Sequence, residues 1–299
     1  MKQTFYTCDV FTDKRFGGNQ LAVFPEASSI PDDLLQPIAK EFNFSETTFV
    51  YPPKNPKNTN RIRIFTPGGE LPFAGHPTIG TAFVLAAIGS IPAQQETNII
   101  FEEGVGNVPV KILSRNGIPD FMELSAAQMP EFLNAPSGAD IAKFLSMPEH
   151  DLDNRFPIQS VSCGVPFLFV AVTTRSSLQR IRVQTELMNQ TLSKSSAKDV
   201  FVFTTDTEQA DFDFHARMFA PLIGIPEDPA TGSAAASFAG YLAALDTAEN
   251  GTLKWKIEQG FEMGRPSLLY SEADKKSGKT VAIRVGGRAV MVCKGEMEI

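Results

Sequence analysis

The sequence is poor in the residues that carry much of enzyme chemistry. Its 299 residues include three Cys, three His and one Trp. Three scattered cysteines, Cys8, Cys163 and Cys293, cannot build a disulfide scaffold, which fits a reducing compartment. They form no Cys-x-x-Cys pair, and His76, His150 and His215 share no ligand spacing, so no metal site is expected. Also missing are a Gly-x-Ser-x-Gly elbow, a Walker loop and a Gly-x-Gly-x-x-Gly fingerprint, which removes the commonest hydrolase, nucleotide and dinucleotide readings. Long apolar runs are absent too: the longest, around Ile79–Ile88, falls well short of the roughly 20 residues that span a bilayer. Met1-Lys2-Gln3-Thr4-Phe5 leads straight into strand-like residues with no apolar signal core, so a cytoplasmic chain without a membrane partner is expected. Positive charge is in deficit, 27 Lys and Arg against 34 Asp and Glu, for a net charge of −7. That argues against nucleic acid as a partner, because such binding draws on cations that neutralise phosphates.

What is present is an ordinary globular composition, 42% hydrophobic and 20% charged. The length suggests two domains or one large one. Arg61-Ile62-Arg63-Ile64-Phe65 alternates with period two and reads as a half-buried strand. Residues 167–172, 200–204, 212–218 and 281–285 read the same way. A helix is expected from Pro31-Asp32-Asp33 to Phe42, with acids at the positive end of its dipole and Asn43 as a left-handed stop. Residues 78–89 and 232–245 are apolar and Ala-rich, suited to helices buried on most sides, and a shorter helix is expected near 139–145. Strands and helices do not alternate regularly, which favours an α+β fold over a doubly wound parallel sheet.

The most informative feature is an internal repeat. Arg63, Phe65, Pro67 and Pro72 recur as Arg217, Phe219, Pro221 and Pro226, each 154 positions later, with Leu71 answered by Ile225. Phe101-Glu102-Glu103-Gly104 is answered by Ile257-Glu258-Gln259-Gly260, 156 positions later. Two matches in the same order point to duplication. The expected halves are residues 1–127 and 138–289, joined by a linker near 128–137 where Pro130 and Pro136 break regular structure, with a C-terminal strand near 290–299 packing back onto the first half. Similar halves would face each other across a cleft, a favoured place for a ligand.

In each half the repeat leads into a turn before an Ala-rich helix. One turn runs Pro72-Phe73-Ala74-Gly75-His76-Pro77, the other Pro226-Glu227-Asp228-Pro229-Ala230-Thr231-Gly232-Ser233. Free N–H groups at a helix start attract anions, so two such starts would suit a carboxylate. His76 can hold a proton near neutral pH, Asp228 can orient it or a substrate amine, and Ser233 can donate to a substrate oxygen. Taken singly, each is also an ordinary helix cap. His150, between Glu149 and Asp151, reads as solvated; His215 reads as a structural residue on one strand face. Cys163 reads as a small buried residue. Glu46, in Phe44-Ser45-Glu46-Thr47-Thr48-Phe49, is a lone carboxylate between a helix end and a strand start. An apolar pocket around it would raise its pKa and suit it to acid–base work; a plain exposed or capping Glu is the alternative.

At these residues the sequence resembles the PhzF family, the phenazine-biosynthesis-like isomerases. The resemblance lies in residues 45–50, 61–77 and 227–234, with further likeness at 11–23 and 259–267, and so covers nearly the whole chain. It implies a diaminopimelate epimerase-like fold, two pseudo-symmetric α+β domains that each wrap strands around a central helix. It further implies a cofactor-free isomerase that relocates a proton or hydrogen on a small carboxylated substrate, of which dihydro-hydroxyanthranilate is the family's best-known type. The acid–base role then falls on Glu46, and substrate binding on His76, Asp228 and Ser233 with backbone groups near Gly75 and Gly232. Epimerases of this fold use one thiol from each domain; here Ala74 and the Ala230/Thr231 region stand in those turns, which disfavours two-thiol chemistry. Two positions depart from the family pattern: Gln20 replaces a frequent Pro, and Ala235 a frequent His. Both bear on substrate choice more than on reaction class. A homodimer without cofactor or metal is the expectation. A thiol-independent epimerase or racemase, or a non-catalytic small-molecule binder, are the alternatives.

Overall fold

The computed structural model describes residues 1–126 and 128–299. The chain divides into two compact units, residues 1–125 with 286–299, and residues 126–285.

In the first unit the strands are β1 (Lys2–Val10), β2 (Asn19–Phe24), β3 (Glu46–Tyr51), β4 (Asn60–Thr66), β5 (Gly69–Leu71), β6 (Glu96–Glu103), β7 (Gly106–Arg115) and β8 (Ile118–Ser125). The antiparallel pairs are β1–β2, β3–β4, β4–β5, β6–β7 and β7–β8; β2–β3 and β4–β6 are parallel. Helix α1 (Asp32–Phe42) crosses from β2 to β3, and α2 (Gly75–Ala87) crosses from β5 to β6. As expected, Asn43 ends α1 in the left-handed conformation, at φ 52°. Pro31 is the residue before α1 rather than its first turn. Helix α2 has no charged side chain and is buried from Gly75 to Ala86. It is the central helix against which β1, β2, β3, β7 and β8 pack. Close approach is possible because residue 80 is glycine: a Cβ there would stand 2.6 Å from side-chain atoms of both Val10 and Leu21.

The second unit repeats this plan. Its strands are β9 (Glu131–Leu133), β10 (Gln159–Ser162), β11 (Pro166–Ala171), β12 (Asp199–Thr204), β13 (Phe214–Ala220), β14 (Ile225–Asp228), β15 (Gly251–Gln259), β16 (Ser267–Lys276) and β17 (Lys279–Gly287), the last reaching two residues beyond the unit's limit. The segment expected as a linker thus contains β9, which pairs with β10. Pairs β10–β11, β12–β13, β13–β14 and β15–β16 are antiparallel; β11–β12 and β13–β15 are parallel. Helices α3 (Gly138–Phe144), α4 (Arg175–Arg180) and α5 (Thr185–Leu192) cover one face. The buried α6 (Gly232–Leu245) packs on the other, against β10, β11, β15 and β16. Strand β18 (Ala289–Glu298) returns to the first unit and pairs antiparallel with β1.

Both faces of the central strands are covered, which accounts for their continuous apolar runs. In β12, Val200 and Val202 join Ile141, Phe144, Leu178, Met188 and Leu192 of the three short helices. Phe201 and Phe203 point the opposite way, onto Phe238 of α6, with ring centroids 5.2 and 4.6 Å away. In the first unit, Phe24, Phe49, Tyr51 and Phe65 pack with Leu35 and Ile38 of α1. Burying rings of this size stabilises each unit by about 2–3 kcal/mol per side chain.

The duplication reaches the side chains. Arg63 pairs bidentately with Glu70 at 2.7 and 2.8 Å, and Arg217 with Glu227 at 2.8 and 2.7 Å. Each guanidinium also lies over the ring two residues on, Phe65 at 5.1 Å and Phe219 at 4.8 Å. Glu102 accepts the backbone N–H groups of Lys54 and Asn55, as Glu258 accepts those of Glu208 and Gln209. The parallel registers agree: Arg61 lies beside Glu102, and His215 beside Glu258.

Candidate active site

The expected residues fall into two clusters, one in each unit. In the first, β2 and β3 run parallel with Leu21 beside Glu46, so Asn19 and Glu46 stand at neighbouring strand starts. Helix α2 brings Gly75 and His76 as its first two residues. It begins three residues earlier than the Ala-rich pattern suggested, so His76 is inside the first helical turn rather than in the turn before it.

Glu46 and His76 are both buried, and Oε2 lies 3.2 Å from Nε2. On its other side the ring meets Asn19, whose Nδ2 is 3.2 Å from Nδ1. An amide nitrogen can only donate, so Nδ1 accepts and Nε2 carries the hydrogen of neutral His76. Burial pushes the imidazolium down to about 3, against a smaller opposing pull from the Gln20 backbone. The Glu46–His76 contact is close but not aligned as a hydrogen bond, a common state for catalytic groups before substrate binds. Glu46 is thus buried rather than exposed, with an imidazole as one neighbour. Phe49 lies three residues on and faces α1 with Phe24 and Phe65. Side chains alternate along a strand, so positions 46 and 49 take opposite faces, and the imidazole of His76 is a neighbour of Glu46.

In the second unit, Asp228 ends β14, and Gly232 and Ser233 open α6. Asp228 is buried and accepts from Thr231 Oγ1 at 2.5 Å. Gln259 holds the turn between them: its Nε2 donates to the Asp228 carbonyl at 2.8 Å and to Thr231 Oγ1 at 3.0 Å, and its Oε1 accepts from the Thr231 N–H at 3.2 Å. Ser233 is half-buried. Ala235 is fully buried in α6, and Gln20 is half-buried beside Asn19.

Among the described residues Ser137 caps α3 and Thr174 caps α4, whereas α1, α2, α5 and α6 have no side-chain N-cap. The hydroxyl of Thr231, placed to cap α6, is turned to Asp228 instead. The first N–H groups of both long helices thus lack the usual side-chain acceptor, which suits an incoming carboxylate.

The remaining residues occupy structural places. His150 is exposed, and its ring lies 3.9 Å from Asp151. His215 is buried between Glu258 and Glu262, at 2.7 and 3.0 Å. Cys8 and Cys163 are buried and Cys293 is exposed. No group of three potential metal ligands occurs among the described residues.

Sequence reasoning missed Asn19, Thr231, Gln259 and Asp199. Asp199 is the counterpart of Glu46: Thr47 pairs with Phe65 and Val200 with Phe219, and Phe65 and Phe219 are repeat equivalents. Its Oδ1 is buried without a hydrogen-bond partner, and burial, with the nearby charge of Asp228, pushes its carboxyl up to about 6. The sequence offset of 154 leads from Glu46 to Val200, so only the strand pairing brings out Asp199.

The duplicated α+β frame is of the diaminopimelate epimerase-like fold, and the chain is an isomerase. It belongs to the phenazine biosynthesis-like (PhzC-PhzF) family, whose model matches residues 8–295. Among its relatives, an uncharacterized isomerase of Mesorhizobium japonicum is 38% identical, with 97% of each chain covered. The trans-2,3-dihydro-3-hydroxyanthranilate isomerase of Pseudomonas fluorescens is 33% identical, with 96% of each chain covered. A PhzF-family protein of Bacillus anthracis superposes with a TM-score of 0.91 at 26% identity, over 100% of both chains.

Proposed function

We propose that this isomerase relocates a proton on a small carboxylated substrate without a cofactor, with Glu46 as the group that removes the proton from one carbon and returns it to another. The observation that carries this reading is a buried carboxylate next to a histidine that burial keeps neutral. In this reading the Nε2–H of the neutral imidazole can follow the carboxyl of Glu46 as it gains and loses the proton. The substrate ends with the same atoms and electrons, one C–H bond broken and one formed. In this reading Asp228 and Ser233 bind polar substrate groups, and the N–H groups near Gly75 and Gly232 take carboxylate charge. A trans-2,3-dihydro-3-hydroxyanthranilate-like compound is the substrate type suggested by the Pseudomonas relative. The working form in this reading is a homodimer, which analytical ultracentrifugation checks.

The test is turnover of that compound in deuterated water. Deuterium should enter the product, and Glu46→Gln should lower kcat by roughly 10²–10⁴ with an unchanged circular dichroism spectrum. Undiminished turnover in Glu46→Gln would remove Glu46 from the role.

A further inference from the structure

A half-buried glutamate not used above, Glu103, lies next to the first turn of α2. Thr78 Oγ1 is 2.8 Å from the Ala74 carbonyl oxygen and 2.8 Å from Glu103 Oε1. A hydroxyl has one hydrogen. With Glu103 ionised, one of these contacts would set two lone pairs face to face. With a proton on Glu103 both are hydrogen bonds: Glu103 donates to Thr78, and Thr78 donates to Ala74. The other oxygen, Oε2, is buried and has no hydrogen-bond partner, a setting a neutral carboxyl tolerates far better than a carboxylate.

The repeat supplies an independent reading of the same position. Glu102 and Glu103 of β6 correspond to Glu258 and Gln259 of β15, as the parallel pairings Arg61–Glu102 and His215–Glu258 establish. Gln259 is permanently neutral. Its amide donates to Thr231 Oγ1, and Thr231 donates onward to Asp228, a relay of the same sense as Glu103 to Thr78 to Ala74. Thr231 precedes α6 while Thr78 is the fourth residue of α2, so the two hydroxyls are not equivalent. Each relay nonetheless starts at the same strand position, from an amide in one unit and from a carboxyl that donates only while protonated in the other.

We propose that Glu103 is a positioning residue that works in its neutral form, pinning Thr78 and the first turn of α2 and so holding His76 against Glu46; when Glu103 ionises, the turn loosens and turnover falls. Burial pushes this carboxyl up to about 8, opposed more weakly by the bond that Thr78 could donate to the ionised form. The charged groups that share its pocket are Lys54, Arg61, Arg63, Glu70 and Glu102. Glu70 holds Arg63, and Glu102 is occupied by the backbone of Lys54 and Asn55. From α2 the only titratable side chain is His76, which is neutral. The kinetic part of this inference rests on the proposed isomerase reading; the protonation state does not.

The experiment pairs infrared difference spectroscopy with pH–rate profiles. Wild-type protein minus Glu103→Gln at pH 7 should show the carbonyl stretch of a neutral carboxylic acid, titrating away near pH 8. Wild-type kcat should fall about tenfold per unit above that pH, as for one essential protonated group. Glu103→Gln, the neutral isostere, should keep kcat within about threefold at pH 7 and lose the alkaline limb, whereas Glu103→Ala should lose about tenfold or more at every pH. Absence of the carbonyl band overturns the inference whatever the activity. An unchanged alkaline limb in Glu103→Gln overturns the positioning role. A band that titrates as expected in a protein without turnover confirms the neutral carboxyl and counts against the isomerase reading instead.

Discussion

His215 permits the sharpest test of the physical reasoning, because its charge is set by groups that can be removed one at a time. Burial alone would push its imidazolium down. Hydrogen bonds from both ring nitrogens to Glu258 and Glu262 more than reverse this and push it up to about 9, from an ordinary 6.5. A rise of that size corresponds to about 3 kcal/mol. The sign follows from linkage: a raised pKa gives stability that is fully present below pH 6.5 and is lost as pH rises through 9. Replacing His215 with Gln leaves two buried carboxylates without their cation, which costs about 3–5 kcal/mol while wild-type His215 is charged. Near pH 6 the melting temperature of the second unit should therefore drop by about 6–20 °C. Above about pH 9.5 the two proteins should converge to within about 1 kcal/mol, because wild-type His215 is then neutral too. Differential scanning calorimetry at half-unit pH steps reads this difference directly. A gap that stays constant from pH 6 to 9.5 would refute the argument and make His215 a neutral hydrogen-bonding residue.

Three shorter predictions complete the set. Gly260 has φ 78°, and a Cβ there would stand 2.5 Å from the Pro229 carbonyl oxygen, so Gly260→Ala should destabilise by about 2 kcal/mol or more by urea unfolding; an unchanged midpoint would contradict the close approach. Thr231→Val removes the hydroxyl between Gln259 and Asp228 and should raise KM for the carboxylated substrate about tenfold with a smaller effect on kcat, whereas equal losses in both would place Asp228 in the chemistry rather than in binding. Burial pushes the Cys8 thiol up strongly and Cys163 up to about 11, while Cys293 is exposed, so maleimide at pH 8 should label one thiol per native chain, and peptide mapping should find it at Cys293.

The outline of this structure was legible in the sequence because duplication writes a feature twice. Arg63 with Phe65 and Arg217 with Phe219 marked equivalent strands, and the two Ala-rich stretches without charge marked the central helices. Asn43 was readable as a stop because few residues tolerate its conformation. Glu46 and His76 were singled out separately, but their contact depends on the parallel pairing of β2 with β3 and on α2 packing across both, which no local pattern specifies. The same holds for Glu103 and Gln259. Their match was visible in the repeat, yet their shared task lies in hydrogen bonds to Thr78 and Thr231, on helix starts more than 20 residues away in sequence. Phe49 misled for the converse reason: proximity along a strand is not proximity in space once the side chains alternate.

Strand β18 gives the molecule an order of assembly. The second unit is one unbroken stretch, residues 126–285, whereas the first needs residues 1–125 together with 286–299. During synthesis the half that carries Asp228 is complete before the last strand emerges. The half that carries Glu46 and His76 waits for it, with the β18 side of β1 unpaired until then. A nascent chain arrested before residue 289 would thus display an open strand edge, a template for misplaced pairing, and a premature stop there would silence the site from a distance of some 240 residues along the chain.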